Sequence, residues 1–199
     1  MTIVKKNALL LLLLCFFSVD TVFAQYEEEG WRFKPQLGIW FGPVSPMPTT
    51  SISEKLTTNL GAGMFFRGNF PTNTLRTELG ISYSVYTSRG PERLMSVPTY
   101  LALAYILPIN LPLTFQAKLG GAANYVQNKP ELKHNTHPAA LIGTEISFPA
   151  GKWVNIGLRI DYYFVYEGHV SAPAGASNFN IVNGQFFNFG LMVNFNLIP

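Results

Sequence analysis

The sequence predicts an all-β fold: eight antiparallel strands that run up and down and close into a transmembrane barrel. Three observations carry this. Apolar residues recur at every second position along segments of about 10 to 14 residues, which is the period of a strand and the length a tilted membrane strand needs. No segment after the first 24 residues holds the ~20 consecutive apolar residues of a spanning helix. The polar side of the alternation is also poor in charge. Only 13% of the 199 residues are charged while 48% are hydrophobic. A soluble barrel needs an outer face rich in Lys, Glu and Asp, because that face meets water.

Composition removes several classes of function. A single cysteine, Cys15, leaves no internal disulfide framework and no cysteine-rich zinc site. The net charge of +3 comes without a run of Lys or Arg, so no basic stripe exists for nucleic acid. No glycine-rich phosphate loop is present, and no cofactor is expected.

Residues 1–24 read as a secretory signal peptide. Lys5 and Lys6 supply the positive start, Ala8 to Phe17 the apolar stretch, and Val22-Phe23-Ala24 the small-residue cleavage pattern. Cys15 falls inside this segment behind Leu14, which is not the small residue that precedes a lipidated cysteine. The remaining chain, residues 25–199, is expected to be one barrel domain that opens on the acidic lead Glu27-Glu28-Glu29.

The strands follow in order. The first sets Trp31, Phe33, Leu37, Ile39 and Phe41 against Arg32, Lys34, Gln36, Gly38 and Gly42, with Trp40 as the exception. The second sets Leu60, Ala62, Met64, Phe66 and Phe70 against Asn59, Gly61, Gly63, Arg67 and Asn69. The third sets Leu75, Leu79, Ile81, Tyr83 and Val85 against Arg76, Glu78, Gly80, Ser82 and Ser84. The fourth sets Val97, Leu101, Leu103 and Tyr105 against Ser96, Ala102 and Ala104. It contains Pro98, which removes a ladder hydrogen bond and calls for fraying or a bulge. The fifth sets Leu113, Phe115, Leu119 and Tyr125 against Gln116, Lys118, Gly120 and Asn124. The sixth, residues 139–148, sets Ile142, Ile146 and Phe148 against Gly143, Glu145 and Ser147. The seventh sets Val154, Ile156, Leu158, Ile160, Tyr162 and Phe164 against Asn155, Gly157, Arg159 and Asp161. The eighth sets Phe187, Phe189, Leu191, Val193, Phe195 and Leu197 against Asn188, Gly190, Asn194 and Asn196. Connections at 71–73, 108–112 and 149–152 are short, and those at 42–56, 88–94, 127–137 and 167–184 are expected to be longer loops.

The residue types orient the wall. The polar face is mostly Gly, Ser, Asn and Ala, which suits the narrow interior of eight strands. The apolar face then points out to lipid. Tyr83, Tyr125 and Tyr166 fall toward the long-loop rim, and Phe70, Tyr105, Phe148 and Phe195 toward the short-turn rim, as in two interfacial girdles. The inward face carries Arg67, Arg76, Glu78, Lys118, Glu145, Arg159 and Asp161. Charges removed from water have to pair. Counting out from the 71–73 turn brings Glu78 to Arg67, and similar counting sets Glu145 between Lys118 and Arg159. The expectation is a lumen plugged by salt bridges.

The last strand ends in a pattern of Asn188, Gly190, Val193 and Phe195. It resembles the C-terminal signal that barrel-assembly machinery recognises in outer-membrane proteins. That signal usually ends the chain, whereas Asn196-Leu197-Ile198-Pro199 follow here. Residues 31–197 as a whole resemble the small eight-stranded outer-membrane barrels, the OmpA-like and OmpX-like group. The resemblance implies an outer-membrane location in a diderm bacterium, both termini in the periplasm and four loops outside. It implies outer-membrane lipid and the assembly machinery as partners, and a role that is structural or made through surface contacts. An extracellular ligand would meet the loops.

No chemistry stands out. His134 and His137 sit in a polar stretch placed in a loop, with Glu131 as the sole nearby carboxylate, too few groups for a metal shell. Glu167, His169 and Ser171 share one face of an extended chain and are the parts of an acyl-transfer triad. Their spacing is similar to the lipid A deacylases, but Ala172 stands where that family has Asn, and same-face neighbours lie about 7 Å apart. The expected protein is not an enzyme. An acyl hydrolase of lipid A and a small gated pore are the alternatives.

Overall fold

Strict alternation over eight segments leaves each strand with one face that has to be hidden from the solvent the other face meets, and closing the sheet on itself does this without leaving an edge. The computed structural model describes residues 33–48, 53, 56–70, 72–88, 93–109, 111–129, 134–166 and 184–198, and shows such a closure. Among the described residues nine strands form: β1 (Gln36–Pro46), β2 (Leu56–Thr57), β3 (Asn59–Asn69), β4 (Leu75–Ser88), β5 (Arg93–Ile106), β6 (Thr114–Lys129), β7 (His134–Pro149), β8 (Val154–Val165) and β9 (Gly184–Asn196). All pairings are antiparallel. The order β4-β3-β1-β9-β8-β7-β6-β5 returns to β4, so eight long strands make a closed wall and β2 is a short addition beside β4.

The register of β2 explains its separation from β3. Gly61 pairs with Ser84 and Thr57 with Thr87, four steps on one strand against three on the other. One extra residue near Thr58 bulges out and splits the strand. At Pro98 the outcome is different. Ile81 pairs with Thr99 and Ser84 with Ser96, an unbroken register with a gap opposite the proline, while Pro98 still faces Asn124 on β6. No bulge forms there, because the missing N–H costs one ladder bond and the flanking pairs hold the alignment.

Both ends of the wall meet at one rim, where Gln36 pairs with Asn196. The connections 70–74, 107–113 and 150–153 lie at that same rim. The last of these places Gly151 at φ 117°, a conformation that side chains with a Cβ avoid. At the opposite rim the strands run further than the sequence pattern predicts. β1 continues to Pro46, and β6 and β7 each reach 16 residues. The connections 89–92 and 130–133 are therefore short, and only 47–55 and 166–183 are long. The reason is that polar residues pair as well as apolar ones once a hairpin stands clear of lipid. His134 and His137 accordingly belong to β7, opposite Gln127 and Asn124, and not to a loop.

The outer face is apolar on every wall strand. Leu119 is 64% exposed and Leu191 66% exposed. Ile39, Leu79, Leu101, Ile142 and Leu158 lie on the same surface. The interior holds two layers. Toward the short-turn rim it is charged. Toward the other rim it is aromatic and aliphatic, with Trp40, Phe65, Tyr86, Tyr163, Phe186 and Met192 all buried. The expectation was an inward face of Gly, Ser, Asn and Ala with a network of charges, and these rings are an addition to it. They fill the volume that Gly, Ser and Ala leave empty, as close packing requires.

Candidate functional site

The glycines and the large inward side chains are matched. A β-carbon at Gly38 would collide with the Phe65 ring, and one at Gly80 with the Tyr100 hydroxyl. At Gly143 it would strike Lys118 and Asp161. Each glycine therefore gives way to a large neighbour on the adjacent strand, and the third opens the passage through which Lys118 reaches Asp161.

Six of the seven inward charges converge in that space. Arg67, Lys118 and Arg159 face Glu78, Glu145 and Asp161, and all six are buried. Glu78 lies 3.4 Å from Arg67, 3.5 Å from Lys118 and 2.9 Å from Arg159. Glu145 is bound by Arg67, by Lys118 at 3.2 Å and by Arg159 at 3.2 Å. Asp161 pairs with Lys118 at 2.7 Å and with the Arg159 Nε at 2.6 Å. Three cations and three anions thus cancel within one knot. The strand register produces it: Arg67 sits directly opposite Glu78, and Glu145 opposite Arg159.

Uncharged groups complete the knot. The Tyr100 hydroxyl donates to Glu78 at 2.9 Å and accepts from Arg159 at 2.6 Å. Arg67 Nε donates to the side-chain carbonyl of Gln36 at 2.8 Å, and Gln36 donates to Asn196 at 2.6 Å, which ties the knot to the closing seam. The Arg159 guanidinium lies 4.4 Å over the Phe65 ring and that of Arg67 5.1 Å from it. Cations held against a ring face gain further stabilisation when water is excluded. Tyr100 and Phe65 were not singled out from sequence. Met64-Phe65-Phe66 reads as a break in alternation, and such doubly apolar runs were the available signal.

Arg76 stays outside. It faces the lumen two residues before Glu78 and is half-buried, but among the described residues no carboxylate lies within salt-bridge distance of it. Of the final-strand residues, Asn188 and Gly190 face inward opposite Asp161 and Arg159. Val193 and Phe195 face outward at the closing seam, where both pair with β1 and β8. Tyr125 stacks near His134 with ring centroids 5.9 Å apart. Glu167, His169 and Ser171 lie outside the described residues, as do residues 1–24.

The sequence matches no family model and no curated protein. Solved structures do match in shape. The crystal structure of Neisserial surface protein A superposes with a TM-score of 0.53 at 12% identity, covering 83% of this chain and 97% of that one. A major outer membrane protein from Thermus thermophilus gives a TM-score of 0.61 at 11% identity, covering 83% and 99%. The fold is that of the small eight-stranded outer-membrane barrels. Eight strands leave an interior about wide enough for side chains, and both the charged and the aromatic layer of this barrel project side chains into it.

Proposed function

We propose that this protein is an integral outer-membrane barrel, exported through a cleaved signal peptide, whose lumen is closed and whose role is structural or made through contacts at its surface. One observation carries the reading: the molecule is apolar outside and ion-paired inside. A soluble barrel has the reverse arrangement, and soluble proteins rarely expose apolar patches beyond a few hundred Å². Lipid is the surrounding that satisfies Leu119, Leu191 and their neighbours.

The balanced knot of three cations and three anions supports a plug over a pore. An open ion path needs water along the lumen, and water would compete for each of these pairs. The outer-membrane lipid and the assembly machinery are then the obligate partners, with Asn188, Gly190, Val193 and Phe195 as the assembly signal. An extracellular ligand would meet the connections at the long-loop rim, of which 47–55 and 166–183 are the longest in sequence. Enzymatic activity has no support among the described residues.

Membrane fractionation combined with gel mobility before and after boiling tests this reading. The protein is expected in the outer-membrane fraction with a mobility that shifts on heating, and silent in planar bilayers. Recovery in plain buffer without detergent would overturn the membrane assignment, and regular single-channel steps would overturn the closed lumen.

A further inference from the structure

We propose that the lumen binds a small oxyanion at its short-turn end, held by the guanidinium of Arg76 with the side-chain amide of Gln116 as a further donor. The first ground is charge. The described inward-facing residues comprise Arg67, Arg76, Lys118 and Arg159 against Glu78, Glu145 and Asp161, which leaves one positive charge over. Glu78 and Glu145 are each already engaged by Arg67, Lys118 and Arg159, and Asp161 by the last two. Among the described residues none of the three lies within salt-bridge distance of Arg76, although Glu145 and Glu78 are near enough to act on its charge. A half-buried guanidinium with no carboxylate in salt-bridge range favours a counter-ion from solution.

The second ground is independent of charge. Gln116 is fully buried, yet neither its amide nitrogen nor its side-chain carbonyl oxygen has a partner. Buried amides are paired as a rule, and an exception such as Gln116 or Asn194 calls for a water, an ion or another partner. The register puts the two residues within reach. Arg76 pairs with Ala104, Ala104 with Lys118, and Gln116 is the next inward position on β6 toward the turns. Ala104 has no side chain beyond its β-carbon, so β5 leaves space beside Arg76, which Ile106, the next inward residue and the partner of Gln116, bounds on the turn side. A planar guanidinium matches the paired oxygens of a carboxylate or phosphate, and the Gln116 N–H supplies another hydrogen bond. The Gln116 oxygen can accept from a protonated phosphate. The site does not depend on the lumen being closed, since a conducting barrel would carry the same surplus charge.

The test uses residues 25–199 refolded in nonionic detergent, at constant ionic strength set by a bulky sulfonate salt. Inorganic phosphate and acetate are titrated separately, with chloride for comparison, and the unfolding temperature is followed by boiling-dependent gel mobility. Wild type is expected to show a saturable rise of a few degrees with phosphate or acetate, and a smaller one with chloride. Arg76→Gln should lose the rise while being at least as stable as wild type without added anion, because it removes the surplus charge. Arg93→Gln, at the other rim, should keep it. Arg76→Lys retains the charge without the fork and should weaken the response roughly tenfold, which keeps the test decisive if Arg76→Gln does not refold. No saturable rise in wild type, an equal effect of chloride, or an undiminished response in Arg76→Gln or Arg76→Lys would each overturn the site.

Discussion

Glu145 is the residue on which most of the interior depends, because three cations lean on it. Glu145→Gln leaves three buried cations facing two carboxylates. The expected loss is about 3–5 kcal/mol, the cost of stranding buried charge, measured by urea unfolding in detergent micelles. Adding Arg67→Gln should restore part of that loss, since the second change removes a stranded partner, and strict additivity would contradict the coupling. Space is as exacting as charge. Gly80→Ala drives a methyl into the Tyr100 hydroxyl that bonds Glu78, with an expected cost of about 1–3 kcal/mol. Gly121 meets nothing closer than 4.0 Å, so Gly121→Ala should be nearly neutral in the same assay.

Among the elements, β6 separates the two faces most clearly. Its Lys118 is buried in the knot and its Leu119, one residue on, is 64% exposed. Leu119→Arg should cost about 2–4 kcal/mol for folding into lipid vesicles, and far less in a micelle that can deform around the charge. Equal costs in the two media would contradict a lipid-facing Leu119. The β6–β7 hairpin is taller than the wall beside it. β8 ends at Val165 opposite Ala139, which leaves residues 135–137 of β7 without a pairing strand on that side among the described residues. Their amides should exchange with solvent faster than those of 141–147, where β6 and β8 both pair, as hydrogen exchange by NMR would show. The alternation in the sequence stops being amphipathic here, so strand length was misjudged by five residues at His134.

For the molecule as a whole, closure and filling are separate properties. Closure follows from eight paired strands. Filling is the proposal, and the knot and the rings of Trp40, Phe65, Tyr86 and Phe186 above it, the last two with centroids 4.8 Å apart, are the side chains that support it. Phe65 braces both arginines of the knot. A Phe65→Ala, Arg159→Ala double variant should admit ions in planar bilayers where the wild type stays silent. A silent double variant would place the barrier in the aromatic layer alone.

The eight strands, the outward apolar face and the inward charges were legible in the sequence because each follows from a local period of two, which fixes side-chain direction without knowledge of any partner. The neighbours Arg67 and Glu78 were legible too, since a short turn sets their register by counting. Counting does not carry across the barrel. That Arg159 reaches Glu78, that Phe65 lies under Arg159, and that Arg76 is left without a carboxylate depend on how strands distant in sequence are staggered around the closed wall. Those relations arise from curvature and shear, which are properties of the cylinder and of no single segment, so only the tertiary structure decided them.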